Sequence, residues 1–402
     1  MKYFIAVLTF IALLSVTTAN AQNDTTKHLP TYKVGIFAPL YLDSVFNNNT
    51  FRYSKAVPRF IMPAVDFIQG AQIAFDSIPA GNENIEAFIF DSKAYKENIA
   101  WLIQNKKLDS LNLIIGNVKD IEYKQLSEFT LQKKIPFVSA TLPNDGGITA
   151  HPYLVILNST LKAHCDAIYS YLLQNHGTDK IFLCRQPGTQ EDMVASFFKQ
   201  SNEQDGRPLL DMQTLNFEEP LNIDYLKSKL DSNRQNIIIG GSLDEIFAGN
   251  ISTACFKLYK TYPLTLFGMP NWDAMPVLHK KDALKDFPIY FTSPYFNNKW
   301  DNYSKMVVNG YAKKYKTKPS DMAFKGFESV ALFTQLLKKY PNDLMNNLND
   351  KSVNFICEYN FRPVMLKKEN LPSGQAGESP DYFENKHLYF IKLLNGAISK
   401  AW

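Results

Sequence analysis

Leu111-Asn112-Leu113-Ile114-Ile115-Gly116, then the run Ile121 to Lys133, then Ile135-Pro136-Phe137-Val138-Ser139-Ala140-Thr141: these three pieces decide the fold class. The outer two are short apolar runs of the kind that form strands buried on both faces. The middle one has the length of a helix. A strand, a helix and a second strand in this order make a parallel pair joined by a crossover.

The unit recurs in both directions along the chain. Before it lie strand Tyr32 to Leu40, helix Pro63 to Ser77 and strand Ile85 to Asp91, followed by a helical stretch, Lys96 to Lys106. Ala64, Ile68, Ala71, Phe75 and Ile78 fall on one face of the Pro63 helix. After it, the pattern restarts with helix Leu161 to Leu173 and strand Lys180 to Cys184. Helices at Asp192 to Asn202, Ile223 to Leu230 and Ile246 to Tyr259 then alternate with strands at Leu209 to Phe217, Asn236 to Gly240 and Leu264 to Gly268. The expected class is α/β, with two doubly wound parallel-sheet lobes. The C-terminal part reads differently: strand Phe287 to Thr292, helices Tyr303 to Tyr315 and Met322 to Lys339, and strands Phe355 to Phe361 and Leu388 to Leu394. A Pro/Gly/Ser-rich loop, Leu371 to Pro380, separates the last two, and these pieces read as additions to the two lobes.

The N-terminus reads as a secretory signal. Lys2 precedes an apolar run, Tyr3 to Val16, and Ala19-Asn20-Ala21 places small residues where a signal peptidase cuts. The expected signal is 1–21, and the apolar run is shorter than the ~20 residues of a spanning helix. The mature chain of about 380 residues suits two domains. It is expected to be extracytoplasmic (periplasmic or equivalent) and soluble rather than membrane-anchored. The net charge is +4, and no basic tract tracks a nucleic-acid backbone. Cys165, Cys184, Cys255 and Cys357 have long spacings that match no zinc pattern, and pairing and simple burial both remain open for them. No metal or cofactor is implied. Nucleophile-elbow, phosphate-loop, dinucleotide-turn and zinc-protease motifs are missing, and the six histidines are scattered, so a binding protein is expected rather than an enzyme.

The order and spacing of several segments resemble the type I periplasmic binding proteins, in the branch of the leucine/isoleucine/valine-binding proteins of ABC importers. The segments are Val34-Gly35-Ile36-Phe37-Ala38-Pro39-Leu40, Gly70-Ala71-Gln72-Ile73-Ala74-Phe75-Asp76, Ile114-Ile115-Gly116, Lys134 to Thr141, and Tyr311-Ala312-Lys313-Lys314-Tyr315 ahead of Pro319. The resemblance implies three crossings between lobes, placed near Leu157, Pro294 and Asn346. The first lobe is then 30–157 plus 295–345 and the second 158–294 plus 346–402. It also implies a hinged cleft at the carboxyl ends of the strands. The implied partners are a small polar ligand such as an amino acid and an ABC transporter membrane component. A ligand-sensing or ligand-degenerate interaction protein on the same fold is the alternative.

By position, the resemblance assigns ligand contacts to Ser139, Ala140 and Thr141 in the first lobe and to Gln186, Gly241 and Ser242 in the second. Asn117 and Lys119 end the Ile114 strand, where Lys119 is placed either to meet an anion or to sit in solvent at a helix start. Trp272 follows the strand ending at Gly268 and reads equally as a ligand-packing aromatic or a core residue. Asp244 reads as an ammonium acceptor or as a helix cap. Two departures stand out. Asn117-Val118-Lys119-Asp120 replaces the small hydroxyl residues that hold a carboxylate in amino-acid-binding relatives. An insert, Tyr41 to Met62, reshapes the rim, with Tyr41 and Ser44 as weaker contact candidates.

Overall fold

Residues 34–38 are buried, so the first strand presents apolar side chains to both faces of its sheet. This strand, β1 (Tyr32–Ala38), is accordingly paired in parallel on both sides, with β2 (Ile85–Asp91) and with β3 (Leu113–Gly116). In the computed structural model the described residues are 30–48, 50–53, 56–78, 84–366 and 379–402. The expected signal, 1–21, and the loop residues 371–378 lie outside them. Tyr32–Trp402 forms one compact unit.

The first sheet continues through β4 (Phe137–Ser139) and β5 (Leu154–Ile156), both parallel. α1 (Met62–Ser77), α2 (Ile99–Gln104) and α3 (Asp120–Lys133) are its crossovers. The second sheet is built from β6 (Lys180–Arg185), β7 (Met212–Asn216), β8 (Asn236–Gly240), β9 (Leu264–Phe267) and β10 (Ile289–Ser293), all parallel. Its helices are α4 (Leu161–Asn175), α5 (Thr189–Asn202), α6 (Ile223–Lys227) and α7 (Glu245–Leu258). Caps fix where they begin. Thr160 Oγ1 accepts the Ala163 N–H at 3.3 Å, and Asp244 accepts the Phe247 N–H at 2.8 Å. The capping reading of Asp244 therefore holds.

After β10 the chain returns to the first lobe as α8 (Asn302–Tyr315) and α9 (Asp321–Lys339), and α9 packs along α1. Here the structure corrects the expected third crossing. No strand spans 355–361. Instead β11 (Phe361–Val364) and β12 (Tyr382–Asn385) extend the first sheet, with β12 parallel to β5 and β11 antiparallel to β12. Residues 361–364 and 382–385 thus belong to the first sheet, and the chain crosses between Asn385 and Tyr389 rather than near Asn346. Burial explains the difference. Phe361 and Tyr382 fill the two faces of the first lobe's core, and Glu384, 1% exposed, accepts the Thr160 N–H at 2.7 Å. β13 (Tyr389–Leu394) then pairs antiparallel with β10, and β14 (Ala397–Lys400) with β13. The result is two seven-stranded sheets, each parallel except at one end. Among the described residues no helix is long and apolar enough to cross a membrane.

Candidate functional site

The parallel strands end in loops that meet between the lobes, around a cleft of about 720 Å³. Its first-lobe wall is the loop Pro143–Gly147 after β4, together with Lys325 of α9. The second-lobe wall takes Leu161 and His164 from the start of α4, Gln190 and Met193 from α5, Leu243, and the segment after β9 with Asn271 and Asp273. The crossings contribute Asn158, Ser159 and residues 293–295. A smaller chamber of about 300 Å³ lies alongside and shares Asp273, Ser293, Tyr295 and Lys325 with the cleft.

Lys325 sits one turn into α9, with its ammonium 4.6 Å from the centroid of the Tyr295 ring. Among the described residues its Nζ makes no hydrogen bond and no ion pair within 4 Å. Burial lowers its pKa, and Asp321 and Asp273 oppose that shift. Asp273 is open to solvent on the cleft wall, yet the protein mass around it raises its carboxyl pKa, with Lys325 acting the other way. A basic and an acidic side chain thus stand on opposite lobes of the cleft, with no ion pair between them. His164 is 2% exposed. Its Nδ1 lies 2.7 Å from Thr292 Oγ1, while its Nε2 has no partner among the described residues. Burial above all, and then the Lys386 charge, push its pKa down to about 3, so the ring is neutral.

None of the nine contacts expected from the sequence is among the residues lining this cleft. Ser139 and Ala140 are fully buried, and the Ala140 carbonyl accepts the Tyr295 hydroxyl at 2.9 Å. Thr141 Oγ1 donates to Asn117 Oδ1 at 2.8 Å, and Asn158 Nδ2 donates to the Thr141 carbonyl at 2.7 Å. These residues back the cleft rather than face it. Lys119 is exposed, 3.8 Å from Asp120. The Gln186 carbonyl accepts from Arg185 Nε at 3.3 Å, and the Gly241 N–H donates to the Cys184 carbonyl. Ser242 is fully buried and donates to Glu191 at 2.6 Å. Trp272 is fully buried, its indole N–H donated to the Ser242 carbonyl at 2.9 Å, which makes it a core residue.

Sequence reasoning missed Lys325, Asp273 and His164. Signals existed for two of them. Lys325 shares a helix face with Asp321, Glu328 and Ser329 on a helix that otherwise buries apolar residues, and His164 falls in the first turn after a strand and a crossing. Tyr41 and Ser44 line a separate rim pocket of about 630 Å³ with Phe60 and Tyr95. Asp91 anchors that rim by accepting the N–H groups of Leu40, Tyr41, Leu42 and Lys93. Among the described residues no cluster of His, Cys, Asp or Glu could hold a metal ion.

A family model described as a periplasmic binding protein matches residues 63–354. No curated protein matches the chain. Among solved structures, a putative branched-chain amino acid ABC transporter from Rhodospirillum rubrum aligns with a TM-score of 0.61 at 12% identity, covering 92% of this chain and 99% of that one. A branched-chain amino acid ABC transporter periplasmic ligand-binding protein from Burkholderia xenovorans aligns at 0.58 and 11%, covering 92% and 95%. The substrate-binding protein LivJ from Streptococcus pneumoniae, in complex with isoleucine, aligns at 0.51 and 16%, covering 92% and 98%. At these identities the likeness is one of fold.

Proposed function

This chain belongs to the periplasmic binding protein family, and we propose that it is an exported solute-binding protein that captures an amino acid or similar small polar solute for an ABC importer. The observation that carries this reading is the interlobe cleft, with Lys325 on one lobe and Asp273 on the other, neither held in an ion pair. A zwitterion placed between them supplies the missing partner to both. It does so only when the lobes come together, so binding selects the closed form. The signal-like segment Lys2 to Ala21 supports export, and the names of the aligned structures support a transporter partner.

Thermal-shift screening of the mature protein against amino acids and small carboxylates tests this. A saturable rise in melting temperature, together with a solute released from gently purified protein and seen by mass spectrometry, is the expected result. A broad screen with no hit would replace the reading with that of an interaction protein on the same fold.

A further inference from the structure

The insert Tyr41 to Met62 contributes nothing to the interlobe cleft, and we infer that it builds a second binding site, which takes a neutral saccharide against exposed aromatic rings. This site does not rest on the solute reading above. Its lining residues all fall between Tyr41 and Gln125, in the first lobe, and none is shared with the cleft.

The pocket, of about 630 Å³, forms where the loops after β1 and β2 meet the starts of α2 and α3. One carboxylate holds both loops. Asp91 Oδ1 accepts the N–H groups of Tyr41 at 3.1 Å and Lys93 at 2.9 Å, and Oδ2 accepts that of Leu42 at 2.7 Å. Tyr41 is thereby kept at φ 52°, a left-handed conformation that bulky residues rarely adopt. Its ring meets Phe60 edge-on, with centroids 5.5 Å apart. Tyr95 is tied on two sides: its hydroxyl lies 2.6 Å from Ser44 Oγ, and its N–H is accepted by Asp43 at 2.7 Å. Yet Phe60 is 54% exposed and Tyr95 67%. These rings are held in place without being covered, so a ligand that covers them pays little in ordering.

The polar lining selects the ligand's chemistry. Lys93 and Glu122 are the two charged residues lining the pocket, and they pair with each other at 2.7 Å. An ion therefore meets no unmatched charge. Hydrogen-bonding capacity is left over, however. Lys93 Nζ has three N–H groups, and Glu122 Oε1 takes one of them. Glu122 Oε2 is buried and has no partner among the described residues, and the Gln125 amide makes no hydrogen bond among them either. A donor and an acceptor side by side match two neighbouring hydroxyls, one donating to the carboxylate and the other accepting from the ammonium. The C–H face of the same sugar ring covers the aromatic surface. A flat hydrocarbon would cover the rings but strip water from these polar groups without replacing it.

The insert also carries more rings. After one helical turn, Leu42–Val45, a short strand pair presents Phe46 and Phe51 with centroids 5.6 Å apart, and Tyr53 lies 5.8 Å from Phe51. All three are exposed. The chemistry is shared by a free sugar and by a saccharide chain, and length dependence separates them.

Ligand-observed NMR and calorimetry on the mature protein test the site, with glucose, galactose, mannose and N-acetylglucosamine, with linear tetrasaccharides of the same sugars, and with phenol as a ring that lacks the diol. At least one saccharide should bind. Tyr95→Ala and Phe60→Ala, both at exposed positions, should each weaken it by roughly 10-fold. Glu122→Gln should weaken it by a similar factor, and Lys325→Gln, in the cleft, should leave it unchanged. Should Glu122→Gln disturb the Lys93 loop, the two exposed-ring variants decide. A tetrasaccharide that binds more tightly than its monomer identifies a chain, equal affinity identifies a free sugar, and both uphold the site. A saccharide that is lost in Lys325→Gln but indifferent to Tyr95→Ala sits in the cleft and overturns the inference. Phenol binding without any saccharide, or no saccharide binding at millimolar concentration, overturns it too, and neither result touches the solute-binding reading.

Discussion

Gly70 of α1 lies against Ala323 of α9 so closely that a β-carbon on Gly70 would sit 1.8 Å from the Ala323 carbonyl oxygen. Gly326 returns the contact, with its would-be β-carbon 2.0 Å from the Phe67 carbonyl oxygen. The two helices of the first lobe therefore touch backbone to backbone, and this contact sets the position of α9 and with it Lys325. Gly70→Ala brings two opposed effects. Alanine favours a helix by about 1 kcal/mol, but the opposing atom is backbone and cannot swing aside. Overpacking wins. The variant should lose about 1–3 kcal/mol in urea unfolding and bind the solute more weakly, because Lys325 moves with α9. A variant as stable as the wild type would show that the helices can separate freely.

Ser242 and Glu191 make a second buried contact, and it changes what a substitution at Ser242 reports. Glu191 is 6% exposed and accepts the Ser242 hydroxyl at 2.6 Å. Ser242→Ala removes a hydrogen bond to a charged group inside the second lobe, a loss of about 1.5–3 kcal/mol. Stability should fall by that order while solute affinity stays as it was. Weakened binding at unchanged stability would return Ser242 to the cleft.

Glu328 on α9 links stability to pH. It is 2% exposed and accepts the N–H groups of Ile356 and Cys357 at 3.1 and 3.0 Å. Burial raises its pKa from 4.5 to about 7, against the pull of those two N–H groups. The folded state thus binds the proton more tightly than the unfolded state does. Its contribution favours folding below pH 4.5 and declines as pH rises to about 7, by on the order of 3 kcal/mol. Chemical denaturation of wild type and Glu328→Gln across this window should show their difference in stability changing with pH and levelling off above it. A constant difference would mean that Glu328 stays ionised.

Most of the architecture was legible because it rests on periodicity. The run Asn236 to Gly240 became a strand with the expected bounds, and α1, α3 and α9 began and ended within one or two residues of the expected positions. β5 and β12 were not seen, because each is a very short strand whose partner is distant in sequence: Phe383 pairs with Val155. That is why the third crossing was misplaced. The site was less legible for a related reason. A strand end shows where a cleft lies but not which way a side chain turns. Ser139 and Ser242 at strand ends, and Trp272 in the short helical turn after β9, turn inward, whereas Asp273, beside Trp272, turns out. His164 and Lys325 belong to helices whose approach depends on the tertiary fold.

The four cysteines are all unpaired and buried. Burial pushes each thiol pKa up, so thiolate is scarce at neutral pH. Native protein should react slowly with a thiol reagent, releasing four equivalents only after denaturation, and reductant should leave its melting temperature unchanged. Fewer than four thiols under denaturing, non-reducing conditions would reveal a disulfide.

Trp272 provides the test of where the second lobe's core ends and its binding surface begins. The indole lies over two glycines. A β-carbon on Gly240 would come within 2.4 Å of the ring, and one on Gly268 within 2.1 Å. Those strand ends therefore have no side chains because the indole fills their space, and its N–H closes the contact on the Ser242 carbonyl. Trp272→Ala empties this space and should cost about 3–5 kcal/mol, enough to unfold much of the population in a marginally stable lobe. Trp272→Phe keeps part of the packing, loses the N–H bond and should cost less. In that milder variant solute affinity should persist, because Asn271 is tied through its Nδ2 to the Leu243 carbonyl, the Asp273 carbonyl lies 2.7 Å from His279 Nε2, and the indole is not among the residues lining the cleft. Binding measured by calorimetry at a temperature where the variant is fully folded separates the two roles. Affinity that falls with the Phe substitution while the fold stays intact would put the indole face in contact with the solute.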